Sequence, residues 1–151
     1  MRNQRIRDPL HDLIEFYTSN SELERILWKV VQTRPFQRLR RVKQLGFSDL
    51  VYPGASHSRF AHSVGVFHTA RQLMEVIHRH QKEPQESKEH RALAAALVHD
   101  LGHGPFSHAF EKVGTRLGLK LADHENMSDV PGLFSSLNFE KRFGIPEAGK
   151  V

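Results

Sequence analysis

Residues Val98 to Glu111 read V-H-D-L-G-H-G-P-F-S-H-A-F-E, and this stretch decides how the rest of the chain must fold. Three histidines and two carboxylates lie in it: His99, His103, His108, Asp100 and Glu111. The preceding run R-A-L-A-A-A-L-V favours a buried helix, because alanine and leucine have high helix propensity and the run is nearly free of polar side chains. The His-Asp pair is therefore expected at the end of a rigid core helix, where ligands are held precisely.

Glycine, proline and serine should divide this stretch into two helices. Gly102 and Gly104 with Pro105 are expected to end the first helix in a turn. Ser107 is a candidate N-cap for the second helix, on which His108 and Glu111 share a face. The apolar face of that helix is predicted to consist of Phe106, Ala109, Phe110, Val113 and Leu117.

The combination of imidazole and carboxylate favours a transition-metal site. His99 and Asp100 are adjacent, so both reach one ion only if the helix ends there, as Gly102 allows. Neutral imidazole and carboxylate suit Mn, Fe, Co, Ni or Zn better than Ca, with Mg as a further candidate. The alternative is that these histidines are hydrogen-bonded core residues. A metal or catalytic role is favoured because a glycine-punctuated histidine cluster follows the pair.

The composition limits the classes of function. The 151 residues are enough for one domain with a sizeable core. The chain has no cysteine, which excludes disulfides and thiolate metal sites. A net charge of +5 favours an anionic partner such as a nucleotide or nucleic acid, although a basic soluble surface explains it equally well. The longest apolar runs are shorter than the roughly 18 residues of a membrane span, and the N-terminus does not resemble a signal peptide, so we expect no membrane association and a cytoplasmic location.

The N-terminal third is expected to begin with an extended segment and continue as two helices. Residues 5–16 read as a short strand or extended arm interrupted at Asp8-Pro9. Ser21 should cap a first helix, with Glu24 completing a capping box. Pro35 opens a second helix, predicted to end at Gly46.

A long third helix is predicted from Arg59 to about His80. Its core stripe should consist of Val66 or Phe67, Ala70, Leu73, Met74 and Ile77. Residues 81–88 read as a polar loop, and residues 133–143 as a short amphipathic run.

Four separated blocks match one known family in order. They are F-Q-R-L-R-R-V-K-Q-L-G (Phe36 to Gly46), P-G-A-S-H-S-R-F-A-H-S-V-G-V (Pro53 to Val66), H-D-L-G-H-G-P-F-S-H (His99 to His108) and D-H-E (Asp123 to Glu125). Over about residues 5–125 the chain resembles the HD-superfamily phosphohydrolases, in the branch of dNTP triphosphohydrolases that includes the dGTPase-like and sterile-alpha-motif-and-HD types. The resemblance implies an all-α HD-domain fold, with residues 1–151 as the N-terminal part of a longer catalytic core.

The resemblance also implies a set of metal ligands. By motif match they are His62, His99 and Asp100, and the family's fourth ligand is a second aspartate on a later helix. No aspartate follows Asp129 in this chain. We therefore expect that the chain is part of a longer protein and is inactive alone. The alternatives are that a partner supplies the ligand or that the site has decayed.

For the complete enzyme the resemblance implies hydrolysis of a dNTP to a deoxynucleoside and inorganic triphosphate. His108 matches the general acid, with Glu111 orienting its imidazolium where many relatives carry aspartate. His103 and His124 match phosphate contacts, and Arg59 matches a residue that donates hydrogen bonds to the α-phosphate.

The basic segment from Arg34 to Lys43 admits more than one interpretation. It is either a solvated helix face, a phosphate-recognition surface or a contact for a nucleic-acid backbone. By resemblance, Gln44 and Leu45 contact the sugar of the substrate. Arg38 and Arg40 match basic positions near the allosteric nucleotide site of the vertebrate-type enzymes.

Two other classes of function stay open at this point. One is a nucleotide-binding HD module that regulates without turnover, which the missing aspartate favours. The other is an HD phosphodiesterase or nuclease, for which the basic segment is the hint. The resemblance also implies homo-oligomers, which are common among the relatives.

Overall fold

The computed structural model describes residues 2–80 and 86–119. Within them the strands and α-helices are β1 Gln4–Asp8, β2 Asp12–Phe16, α1 Glu22–Val31, α2 Arg34–Arg38, α3 Arg59–His80, α4 Glu86–Val98 and α5 His108–Arg116. Two 3-10 turns, Leu39–Arg41 and Gly46–Leu50, lie between α2 and α3. The all-α expectation is confirmed, with one small hairpin added where the sequence suggested a strand or an extended arm.

The hairpin packs β2 against α3. Its strands are antiparallel, and the Asp8 carboxylate closes the turn by accepting hydrogen bonds from the amides of Leu10 (2.9 Å) and His11 (3.0 Å). Phe16 is fully buried, and its ring stacks on that of Phe67 at 4.7 Å. The turn lies so close to α3 that a Cβ at Gly65 would stand 2.8 Å from the ring of His11.

The start of α1 follows the predicted cap only in part. The Ser21 hydroxyl accepts a hydrogen bond from the Glu24 amide at 3.2 Å, as predicted. The Glu24 carboxylate instead accepts from the Tyr17 amide at 2.6 Å, while the Ser21 amide donates to the Tyr17 carbonyl. The capping-box prediction is therefore wrong for its second half, because Glu24 is used to attach the hairpin.

One hydrophobic core joins β2 to the first four helices. Its fully buried side chains include Ile14, Phe16, Leu27, Val30, Phe36, Leu39, Phe67 and Leu97. The predicted buried helix before the His-Asp pair is α4, and Leu93, Ala94, Leu97 and Val98 are its core residues. The His-Asp pair therefore follows directly after this core helix.

The second helix ends well before the predicted glycine. After the turn Leu39–Arg41 the backbone is extended at Val42 (φ −106°, ψ 112°). The Val42 carbonyl accepts from the Arg59 amide at 2.8 Å, and the Gln44 amide donates to the His57 carbonyl at 3.1 Å. These residues therefore pair with the segment before α3 instead of continuing α2.

The third helix has the predicted bounds but not the whole predicted stripe. Phe67 is buried, and Ala70 and Met74 pack at the edge of the core. Leu73 is 56% exposed and Ile77 is 38% exposed, so their assignment to the core is wrong. The fourth helix starts at Glu86, inside the region predicted as a polar loop.

The predicted apolar face of α5 is largely uncovered. Phe106 is 52% exposed, Phe110 37%, Val113 56% and Leu117 70%. The apolar pattern correctly predicted a helix, but the prediction that this face is buried was wrong. His124 and the run predicted at residues 133–143 lie outside the described residues. Among the helices that are described, none is both long and apolar enough to cross a membrane.

A buried ion pair connects the hairpin, α1 and α3. Nη1 of Arg71 lies 3.2 Å from Oε2 of Glu24, with side-chain exposures of 9% and 7%. The same nitrogen donates to the Glu15 carbonyl, and the guanidinium stands 4.5 Å from the centre of the Tyr17 ring. Arg71 on α3 thus contacts the end of β2 and the first turn of α1 together.

Replacing Arg71 with methionine should lower the free energy of unfolding by roughly 3–5 kcal/mol, because Glu24 would lose its buried cationic partner. Urea denaturation followed by the fluorescence of Trp28, which packs 5.2 Å from Phe16, measures this. Arg79→Met, at an exposed position of the same helix, is the control and should change the value by less than about 0.5 kcal/mol. Equal effects of the two substitutions would contradict a structural role for the ion pair.

Candidate active site

Three elements bring the candidate site residues together. The first turn of α3 carries Arg59 and His62, and the end of α4 is followed at once by His99 and Asp100. The His99 amide continues the helical hydrogen bonding to the Ala95 carbonyl at 2.9 Å. The loop beyond it and the start of α5 supply the remaining histidines.

The three residues predicted to bind a metal, called here the metal-binding group, are His62, His99 and Asp100. Nε2 of His62 lies 3.3 Å from Nε2 of His99 and 3.7 Å from Oδ2 of Asp100. Nε2 of His99 lies 3.5 Å from Oδ1 of Asp100. One ligand atom from each residue falls within 4.8 Å of the others, which is compact enough for a single ion to touch all three.

The hydrogen bonding of His99 suits a metal ligand. Its Nδ1 lies 3.0 Å from the Ala96 carbonyl, which accepts a hydrogen bond and therefore fixes the proton on Nδ1. Nε2, the nitrogen that faces His62, then carries the lone pair. Two imidazole nitrogens and one carboxylate form a donor set suited to divalent transition metals.

The charge state of Asp100 is set by its neighbours. Burial raises the pKa of this carboxyl group, but the hydrogen bond from His103 and the electrostatic interactions with His99 and Arg59 outweigh burial, so its pKa lies well below the usual range. Nη1 of Arg59 donates to Oδ2 at 2.7 Å. Asp100 is therefore an ionised carboxylate at neutral pH.

His62 is held in its neutral form. Burial is the main cause that lowers its pKa below the usual 6.5, and the electrostatic interactions with His99 and Arg59 add to it. Asp100 acts in the opposite direction but does not compensate. Neutral imidazole is the form that binds a metal, so the environment prepares this side chain as a ligand.

The second group, called here the acid-base group, consists of His103, His108 and Glu111. The two oxygens of Glu111 serve different histidines: Oε2 is 2.8 Å from Nδ1 of His108, and Oε1 is 3.0 Å from Nδ1 of His103. Glutamate is long enough to bridge both rings. His103 is only 2% exposed, whereas the side chain of His108 is 66% exposed.

The two groups are in contact with each other. Nε2 of His103 lies 3.3 Å from Oδ1 of Asp100, the carboxylate of the metal-binding group. A continuous series of contacts therefore runs from Asp100 through His103 and Glu111 to the exposed ring of His108.

The residues predicted to bind substrate are only partly brought to this centre. Arg59 lies against Asp100, and the Gln44 carbonyl is 3.4 Å from Nη2 of Arg59. Leu45 is half-buried in the adjoining segment. The roles predicted for these three residues stay predictions, and His124 lies outside the described residues.

Sequence reasoning assigned Ser107 the wrong structural role. Its side chain makes no capping hydrogen bond, and its φ is +53°. Ser107 is 3% exposed. Its hydroxyl accepts a hydrogen bond from Nε of Arg59 at 3.1 Å and donates one to the Lys43 carbonyl, also at 3.1 Å. Ser107 thus fixes the Arg59 guanidinium next to Asp100. The position within G-P-F-S-H was the available signal, but the partners are 48 and 64 residues away along the chain.

Comparison with known proteins places the chain in a family. The HD domain family model matches residues 59–132, which include the metal-binding group and the acid-base group. Residues 59–132 belong to the HD domain family. The similarity also extends outside the matched domain, because the alignments with the relatives span 101 to 108 residues, which is longer than the matched domain.

Three relatives illustrate the similarity. The uncharacterized protein YwfO of Bacillus subtilis is 46% identical over 107 residues, covering 71% of this chain and 23% of its own length. Human deoxynucleoside triphosphate triphosphohydrolase SAMHD1 is 45% identical over 108 residues, covering 70% and 16%. The SAMHD1 homolog of Dictyostelium discoideum is 48% identical over 101 residues, covering 65% and 20%. The HD-domain chain therefore spans less than a quarter of the length of these relatives.

Substituting His62 or His99 with alanine should weaken Mn²⁺ binding by at least about tenfold, because each removes one nitrogen ligand. Titration of the protein with Mn²⁺, followed by the electron paramagnetic resonance signal of the free ion, gives the affinity. His80→Ala, an exposed histidine at the end of α3, should leave the affinity unchanged. Wild-type affinity in both site variants would show that the three residues do not form a metal site.

Proposed function

We propose that this protein is a metal-dependent hydrolase that cleaves a dNTP between the α-phosphorus and the 5′-oxygen, giving a deoxynucleoside and inorganic triphosphate. Residues 1–151 would form part of its HD catalytic domain. The observation that carries the proposal is the 3.3 Å contact of His103 with Asp100, which joins a metal-binding group to an acid-base group. The similarity to relatives named deoxynucleoside triphosphate triphosphohydrolases supports the choice of substrate.

The ion would be held by His62, His99 and Asp100, and Mn, Fe, Co, Ni or Zn fits these ligands, with Mg as a weaker candidate. When bound, such an ion supplies Lewis-acid polarisation of a phosphoryl oxygen and lowers the pKa of a water molecule. The protein contributes the orientation of the ligands. Arg59 and Ser107 keep the Asp100 carboxylate in place, and the Ala96 carbonyl keeps the lone pair of His99 on Nε2.

The leaving 5′-oxygen requires a proton. Water attacks the α-phosphorus and releases a proton to the solvent, the bond from phosphorus to the 5′-oxygen breaks, and the oxygen leaves with the bonding electron pair. In the proposed step the His108 imidazolium donates a proton from Nε2 to this oxygen, while Glu111 at 2.8 Å from Nδ1 stabilises the positive charge before transfer. The exposure of His108 makes its ring accessible to a substrate.

Recognition of the triphosphate would use the basic side chains. The Arg59 guanidinium has five N–H groups, and three of them are used by Asp100, Ser107 and the Gln44 carbonyl. The guanidinium is 3% exposed in the part of the chain that the structure describes, so contact of Arg59 with an α-phosphate oxygen is a proposal that rests on the resemblance. We keep His103 and His124 as proposed phosphate contacts, and Gln44 and Leu45 as proposed sugar contacts.

A product screen tests the proposal. Purified full-length protein is incubated with Mn²⁺ and, separately, each dNTP, each NTP and a single-stranded oligonucleotide. Release of inorganic triphosphate from dNTPs is the expected result. Saturable nucleotide binding without turnover would overturn the proposal in favour of a regulatory HD module. Shortened oligonucleotides would overturn it in favour of a nuclease.

His108→Ala should reduce kcat for a dNTP by roughly 10²–10⁴-fold, because a positioned proton donor is removed, and should change KM much less. The decisive measurement uses an aryl triphosphate, whose aryloxide leaves without protonation. On this substrate the His108→Ala variant should regain most of its rate.

His103→Ala is the comparison for the same experiment. It should impair binding and turnover together and should not recover with the aryl leaving group. If neither variant recovers, or if His108→Ala fails to fold as judged by circular dichroism, His108 is not the proton donor.

A further inference from the structure

We propose that Arg38 is a positioning residue of this site, which acts through the loop that joins the metal-binding group to the acid-base group. The inference rests on the proposed function. Nη2 of Arg38 donates to the Leu101 carbonyl and Nη1 donates to the His103 carbonyl, each at 2.7 Å. One guanidinium therefore spans the loop between the two groups.

The loop needs such support because of its composition. Gly102 and Gly104 flank His103 and restrict the backbone less than other residues. Within the described residues, its own backbone contributes bonds at the start of the turn, from the Leu101 amide to Val98 (2.8 Å) and from the His103 amide to Asp100 (3.1 Å). Hydrogen bonds from a charged donor are stronger than neutral ones, so the two bonds from Arg38 contribute substantially to holding this backbone.

The backbone of Arg38 belongs to α2, a helix that is attached to the core. Its helix is anchored by the neighbouring Phe36, which is fully buried, and by the Gln37 side chain, which donates to the Val31 carbonyl at 2.7 Å. Burial lowers the pKa of Arg38, but arginine remains protonated in proteins. The Arg38 side chain thus holds the loop at a fixed distance from α2.

The geometry of the loop sets the distances on which the proposed reaction depends. The Arg38 bond to the His103 carbonyl restrains the residue whose ring touches both Asp100 and Glu111. If His103 shifts, the distances from Glu111 and the His108 ring to the metal-binding group change as well. Lysine at position 38 would supply one ammonium in place of the two-pronged guanidinium, so it would replace the pair of bonds only in part.

Hydrogen exchange tests the structural part without any need for activity. The amides of residues 101–104 are compared by mass spectrometry in the wild type, Arg38→Met, Arg38→Lys and the control Arg41→Met, an exposed arginine of the next turn. Arg38→Met should speed exchange of this loop by about tenfold or more, Arg38→Lys by less, and Arg41→Met not at all. Exchange in α1 should be the same in all four proteins.

Kinetics test the functional part on full-length protein. Arg38→Met should lower kcat for a dNTP by about 10–100-fold with a smaller change in KM, and Arg38→Lys should recover part of kcat. Unchanged loop exchange in Arg38→Met, or faster exchange throughout the domain, overturns the proposal. If wild-type protein hydrolyses no dNTP, the proposed function fails, and the exchange data still decide whether Arg38 holds the loop.

Discussion

The ion pair between Arg59 and Asp100 is the interaction on which the site depends. Nη1 and Oδ2 are 2.7 Å apart, and the side chains are 3% and 6% exposed. A buried carboxylate without such a partner would be protonated or would be excluded from the interior. The pair also joins the first turn of α3 to the residues that follow α4, so it brings His62 next to His99.

Much of the site was predictable because its chemistry is local in sequence. The motif from His99 to His108 and the long helix beginning at Arg59 place the metal-binding and acid-base residues with few assumptions. The features that sequence reasoning missed depend on distant partners. Ser107 bonds to Arg59, and Arg38 bonds to a loop 63 and 65 residues away. Spacing along one helix carries no information about such contacts.

The errors in the helices have the same physical origin. The segment after Arg41 has a helical pattern, yet backbone pairing with the strand-like residues before α3 stabilises an extended form. Leu73 and Ile77 follow the helical spacing of apolar residues, yet both are exposed. Such spacing identifies the apolar face of a helix, but it does not show whether another element covers that face. Tertiary contacts therefore decided both outcomes.

The contacts of His103 join the two groups. The ring of His103 faces the carboxylate of Asp100 at 3.3 Å and that of Glu111 at 3.0 Å. With Asp100 shared between Arg59 and His103, and Glu111 between His103 and His108, each carboxylate lies between two basic groups.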